Sequence, residues 1–122
     1  MAEYLPVRSP GQALTLTASA TITAGQLLIV SGSGTVAPSS AASQSWLGVA
    51  GNDAASGDQV TVWCGGTQEL TTPAGVTAGQ TVEAAASGGV ATHTLGTNDG
   101  NIVGVAITTA GAAAKTRVQL LR

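Results

Sequence analysis

Phenylalanine is absent from this sequence, and its only aromatic side chains are Tyr4, Trp46 and Trp63. A core built here cannot rest on large rings. Cys64 is the only cysteine and His93 the only histidine. That pair excludes an internal disulfide and leaves too few ligands for a zinc site. Charge is equally scarce: 8% of residues are charged, and the net charge is −2. The basic residues are Arg8, Lys115, Arg117 and Arg122. Nucleic-acid binding needs a basic surface that neutralises several phosphates, so no nucleic-acid partner is expected. The longest strongly apolar run, Leu27-Leu28-Ile29-Val30, falls far short of a membrane span. No membrane partner is expected either. The opening Met1-Ala2-Glu3-Tyr4 has no basic n-region and no apolar h-region, which predicts synthesis in a cytoplasm.

What is present is small. More than half of the 122 residues are Ala, Gly, Thr or Ser. Each such side chain buries little apolar area, at ~25 cal/mol per Å². Seventeen glycines add to the entropy lost on folding. The length suits one domain with a thin core, and such a fold gains from partners. Low charge with 43% apolar residues is not a signature of disorder.

The chain divides into an arm and a body. Residues 1–12 hold Pro6 and Pro10, the only tyrosine and one arginine. The prolines disfavour helix and interrupt a sheet ladder, so this segment reads as an extended N-terminal arm. Residues 13–122 read as an all-β domain, a β-sandwich or barrel. Leu14-Thr15-Leu16-Thr17 and Gln59-Val60-Thr61-Val62-Trp63 alternate with period two. Further short apolar or β-branched runs follow, separated by Gly, Ser, Asn and Asp. The body also repeats itself. Ile22-Thr23-Ala24-Gly25-Gln26 matches Val76-Thr77-Ala78-Gly79-Gln80 at an offset of 54. Leu47-Gly48-Val49-Ala50 matches Val103-Gly104-Val105-Ala106 at 56, and Val60-Thr61-Val62 matches Val118-Gln119-Leu120 at 58. The order is kept, so two pseudo-repeated β units are expected, about 14–64 and 67–121. Two copies are too few for a solenoid.

A search for chemistry yields no catalytic residue. A Ser-His-Asp triad must use His93 with Asp53, Asp58 or Asp99, and no G-x-S-x-G elbow is present. His93 reads as a turn-flanking or surface residue. Cys64 follows an alternating strand and reads as a buried or half-buried structural cysteine rather than as half of a thiol–imidazole pair with His93. Gly32-Ser33-Gly34-Thr35-Val36-Ala37 fits G-x-G-x-x-A, with Asp53 near the spacing of a ribose-binding acid. Pro38 and its neighbours open no helix to receive a phosphate, and a hairpin turn explains the glycines better. Asn98-Asp99-Gly100-Asn101 lacks the spaced acids of a calcium loop and reads as a turn. No cofactor or metal is implied. Trp46 and Trp63 sit in strand-like runs and are expected as core or interface aromatics; exposure of either would favour a sugar-binding surface.

Three stretches carry a family resemblance: Gly11-Gln12-Ala13-Leu14-Thr15-Leu16-Thr17, Thr23-Ala24-Gly25-Gln26 and Leu47-Gly48-Val49-Ala50. Gly57-Asp58-Gln59-Val60-Thr61-Val62 and Gly66-Thr67-Gln68-Glu69-Leu70 continue it, as do the second-half motifs. Over residues 11–122 the chain resembles the small capsid decoration (cement) proteins of tailed bacteriophages. The resemblance implies a non-enzymatic protein on the outer surface of the virion. It implies a homotrimer that binds major capsid protein and stabilises contacts between capsid subunits. In the arm, Tyr4, Leu5 and Val7 offer apolar anchors. Pro6 and Pro10 keep the segment extended, and Arg8 offers a planar fork for a partner carboxylate. These six are the expected capsid- or subunit-binding residues. The alternatives are a carbohydrate-binding or adhesin module and a head-fibre or tail-associated structural module.

Overall fold

The computed structural model describes residues 13–122, and the arm at 1–12 lies outside them. Ten strands follow one another with no α-helix among the described residues: β1 (Leu14–Ala18), β2 (Leu27–Gly32), β3 (Thr35–Pro38), β4 (Trp46–Ala50), β5 (Gln59–Trp63), β6 (Thr67–Thr72), β7 (Thr81–Ala84), β8 (Val90–Thr92), β9 (Ile102–Ala106) and β10 (Ala114–Leu120). The first five close into a barrel in the order β1-β3-β2-β4-β5, with β1 paired back onto β5. The last five form a sheet in the order β6-β10-β9-β7-β8. The fold is all-β, as the period-two runs require.

Side-chain alternation explains the apolar run at 27–30. Successive residues of a strand face opposite ways. Leu28 therefore enters the barrel core with Ala18, Ile22, Val36, Ala50, Ala54, Val60 and Val62. Leu27 points outward and, with Trp46 and Val49, joins a second core supplied mostly by the other sheet, including Leu70, Val82, Val90, Val103 and Val118. The outer face of the barrel is thus covered by the second sheet. Short polar links cross the same seam. Ser39 donates through its hydroxyl to the Ala85 carbonyl at 2.8 Å, and its own carbonyl accepts the Gly88 N–H at 2.9 Å.

The Thr-Ala-Gly-Gln motif is a turn with a built-in staple. Gly25 and Gly79 have φ of +90° and +91°, as the third residue of a type II turn requires. Gln26 Oε1 accepts the Thr23 N–H at 2.8 Å, and Gln80 Oε1 accepts the Thr77 N–H at 2.8 Å. The ladders fix how the halves correspond. Leu27 pairs with Val49, and Thr81 pairs with Val105. Both ladders slip at matching places, after Leu28 and after Val82. Ala50 pairs with Val62, and Ala106 pairs with Val118. Val62 therefore corresponds to Val118, not to Leu120, and the offset there is 56 rather than 58. The sequence match at 58 is a two-residue slide along one face, which period-two alternation permits. Offsets of 54 up to β3 and 56 from β4 onward place the inserted pair in one connection. Residues 39–45 join β3 to β4, whereas the longer stretch 93–101 joins β8 to β9.

One more difference separates the halves. The barrel closes through a parallel β1–β3 pair, with Ser19 N–H donating to the Val36 carbonyl at 2.9 Å. The corresponding position beside β8 is Pro73, which has no N–H to give. β6 and β8 lie side by side without pairing.

Candidate binding surfaces

Trp46 and Trp63 have different fates. Trp46 is 1% exposed and anchors the seam between the sheets. The Arg122 guanidinium lies 4.4 Å from its ring centroid and donates to the carbonyls of Trp46 at 2.6 Å and Gln44 at 3.1 Å. The C-terminal residue thus clamps the seam. Trp63 is 49% exposed and is not a core residue of the chain, which corrects half of its expected role. The reason lies in its own strand. Val60 and Val62 face inward, so Gln59, Thr61 and Trp63 face out. Its indole lies over Gly51, where a Cβ would come within 2.6 Å of Nε1. An interface role for Trp63 is compatible with this placement.

The second sheet presents a mixed outer face. Lys115, Arg117 and Gln119 on β10 stand beside Thr71, Glu69 and Thr67 on β6. Arg117 Nε and Glu69 Oε1 are 3.4 Å apart with both side chains exposed, a geometry of little energetic weight. Val105 and Ile107 lie on the same side and are also exposed. The expected binding residues Tyr4, Leu5, Pro6, Val7, Arg8 and Pro10 lie outside the described residues.

The titratable groups form one cluster that sequence spacing does not reveal. His93 is not a surface residue: its side chain is 2% exposed. Nδ1 lies 2.7 Å from Glu83 Oε1, and Nε2 lies 2.9 Å from Asp99 Oδ1. Asp99 Oδ1 also accepts the Gly96 N–H at 2.9 Å. The hydrogen bonds from Asp99 and then Glu83 raise the His93 pKa above its ordinary value, while burial opposes them. The bonds from His93 and from the Gly96 amide hold Asp99 below the usual carboxylate range. With both ring nitrogens engaged, no serine or thiol shares the imidazole. Cys64 instead packs against the barrel core, and burial pushes its thiol pKa up, away from the reactive thiolate. The Gly32–Ala37 stretch is the β2–β3 hairpin, with Gly34 at φ +71°. Asp53 and Asp58 accept loop amides, from Ala24 at 2.8 Å and Ala55 at 3.4 Å. No group of three or more His, Cys, Asp or Glu placed to hold a metal ion occurs among the described residues.

The described residues thus define a small all-β protein: a five-stranded barrel and a five-stranded sheet joined through one apolar seam. Residues 8–121 match the sequence model of a family described as phage cement protein, and the chain belongs to that family. It is a capsid-associated structural protein of a bacteriophage. No curated protein matches the sequence. Among solved structures, the chain is similar to the N base of the head fiber gp8.5 in bacteriophage phi29. The TM-score is 0.66 and the identity 18%, over 89% of this chain and 92% of that one. At that identity the likeness is one of fold.

Proposed function

We propose that this protein is a decoration protein without enzymatic activity. It binds the outer surface of the phage head and stabilises contacts between neighbouring major capsid subunits. The observation that carries this reading is the family match across nearly the whole chain. The protein acts as a homotrimer, made in the host cytoplasm, with major capsid protein as its partner and no role in nucleic-acid or membrane binding. The arm residues Tyr4, Leu5, Pro6, Val7, Arg8 and Pro10 supply the capsid or subunit contact, and Trp63 adds an aromatic contact on the body. Many copies acting together reinforce a shell even where each contact is weak.

Mixing the purified protein with undecorated heads and imaging them tests the reading. Ordered density at three-fold and quasi-three-fold positions is the expected result. Failure to bind heads overturns it. One observation favours a second reading: Trp63 is half-exposed on a face that also carries Thr61 and Thr15, a composition that suits a sugar ring. Binding on a glycan array without head binding selects that carbohydrate-binding module instead. The fold likeness to a head-fibre base supports a third arrangement, attachment at few sites as part of a fibre; sparse rather than full occupancy of the head separates it from decoration.

A further inference from the structure

The two halves differ most where residues 93–101 replace the shorter 39–45 connection. At the start of the shorter connection, Ser39 is buried and bonds across the seam to Ala85. At the matching position, the second half has His93, held between Glu83 of β7 and Asp99 of the turn at Asp99–Asn101. The loop therefore folds back on the imidazole that begins it. Asp99 ties down the loop a second time through the Gly96 amide. Leu95, 66% exposed, lies near the start of the loop beside a cleft also lined by Gln80, Thr81 and His93. On its other side Gly100 faces the Gln44 side chain, next to the carbonyl that Arg122 grips.

We infer that Glu83, His93 and Asp99 form a proton-dependent latch that holds the 94–101 loop against the second sheet and releases it when the imidazolium is deprotonated. The argument begins with donors and acceptors. Both ring nitrogens face carboxylate oxygens at hydrogen-bond distance. A neutral imidazole has one N–H, whereas the protonated ring has two. Only the imidazolium satisfies both contacts at once. Loss of its proton turns one nitrogen into a lone pair aimed at a carboxylate oxygen. Neither Glu83 nor Asp99 has a second ion-pair partner among the described residues. Glu83 is in a strand with ladder partners on both sides, whereas Asp99 belongs to a loop. The loop is the part free to leave.

The sign follows from the directions of the two shifts. His93 has its folded-state pKa raised, so its contribution is complete below the ordinary histidine value. It is lost as the pH climbs through the raised value. Asp99 has its pKa lowered, so its contribution is present above the ordinary carboxylate value and is lost as pH falls through the lowered one. The latch is tightest in mildly acidic solution and opens on the alkaline side.

NMR of the full-length, ¹⁵N-labelled protein tests this. His93 ring shifts report protonation, and the heteronuclear NOEs of Gly96, Thr97 and Gly100 report loop order. The expected result is a His93 midpoint above that of an unperturbed histidine, with the loop NOEs falling over the same pH range. Residues 40–42, in a connection with no titratable side chain and away from the Gln44 contact, stay unchanged. In Asp99→Asn the His93 midpoint moves down and the loop is loose at every pH; in His93→Gln the pH response of the loop disappears. A midpoint at or below the ordinary value overturns the latch. So does a loop whose order is flat through the His93 titration.

Discussion

At the scale of single residues, the two tryptophans make opposite predictions. Trp46 fills the seam, and nothing nearby of comparable size replaces it in a chain without phenylalanine. Trp46→Ala is expected to cost ~3–5 kcal/mol, read as a drop in the urea midpoint. Arg122→Ala removes the cation over that ring and is expected to cost about 1 kcal/mol. Trp63→Ala is expected to cost less than about 1 kcal/mol in the free protein, because half of the ring already faces water. Its effect belongs to assembly: weaker head binding supports a contact role, and unchanged binding removes Trp63 from the interface. The outward aim of Trp63 was legible in its own strand, since Val60 and Val62 claim the inward positions. A core poor in rings favours an inward tryptophan, but alternation wins. The His93 cluster was not legible. Its carboxylates lie ten residues before and six after it in a chain with acids scattered throughout, and only the β7–β8 ladder and the folded-back loop bring them together.

At the scale of elements, the repeat motifs acquire physical meaning. Leu-Gly-Val-Ala and Val-Gly-Val-Ala keep glycine because the neighbouring strand leaves no room. A Cβ on Gly48 would meet the Trp63 carbonyl oxygen at 2.4 Å, and one on Gly104 would meet that of Gln119 at 2.0 Å. Gly48→Ala and Gly104→Ala are each expected to destabilise by about 1–3 kcal/mol or more, because backbone must move. Gly111 has open space and is the control: Gly111→Ala should leave the melting curve nearly unchanged. The seam between β6 and β8 makes a different prediction. Pro73→Ser restores an N–H where Ser19 has one. The gain of one hydrogen bond, about 1 kcal/mol, is offset by the greater freedom serine gives the unfolded chain, about 0.4–1 kcal/mol. Stability should hardly move, yet a slowly exchanging amide should appear at position 73 if the second sheet closes as the first does. Strands such as β1 and β5 were readable from alternation, whereas the short β3 and β8 were not, and Thr-Ala-Gly-Gln was legible as a repeat rather than as a turn. Closure of one sheet and not the other was not, because a single proline beside a strand end is also what an ordinary turn contains. The third repeat match slid by two for a related reason: Val-x-Val and Val-x-Leu look alike to a period of two, and only ladder partners fix the register.

At the scale of the whole molecule, the question is whether the sheets behave as one body. The barrel has a core of its own around Ile22, Leu28, Val36, Val60 and Val62. The second sheet does not: its core includes Leu27, Trp46 and Val49 from the barrel's outer face. We read the chain as two copies of one β unit in which the first has become the floor for the second. The residues matching Leu27 and Ile29 are Thr81 and Glu83, while those matching Trp46 and Val49 are Ile102 and Val105, so the second unit presents a mixed face where the first presents an apolar one. Removing the barrel would leave the second sheet without Leu27, Trp46 and Val49 in its core, and its unpaired β6 and β8 edges would lie open. The expected outcome is a single cooperative unfolding transition for the full chain, with near-equal calorimetric and van't Hoff enthalpies. Amides in β7 and β9 should exchange no more slowly than global unfolding allows, and Trp46→Ala should lower the protection of the second sheet more than that of the barrel. Two transitions in the unmodified protein, with the second sheet outlasting the barrel, would contradict the shared core.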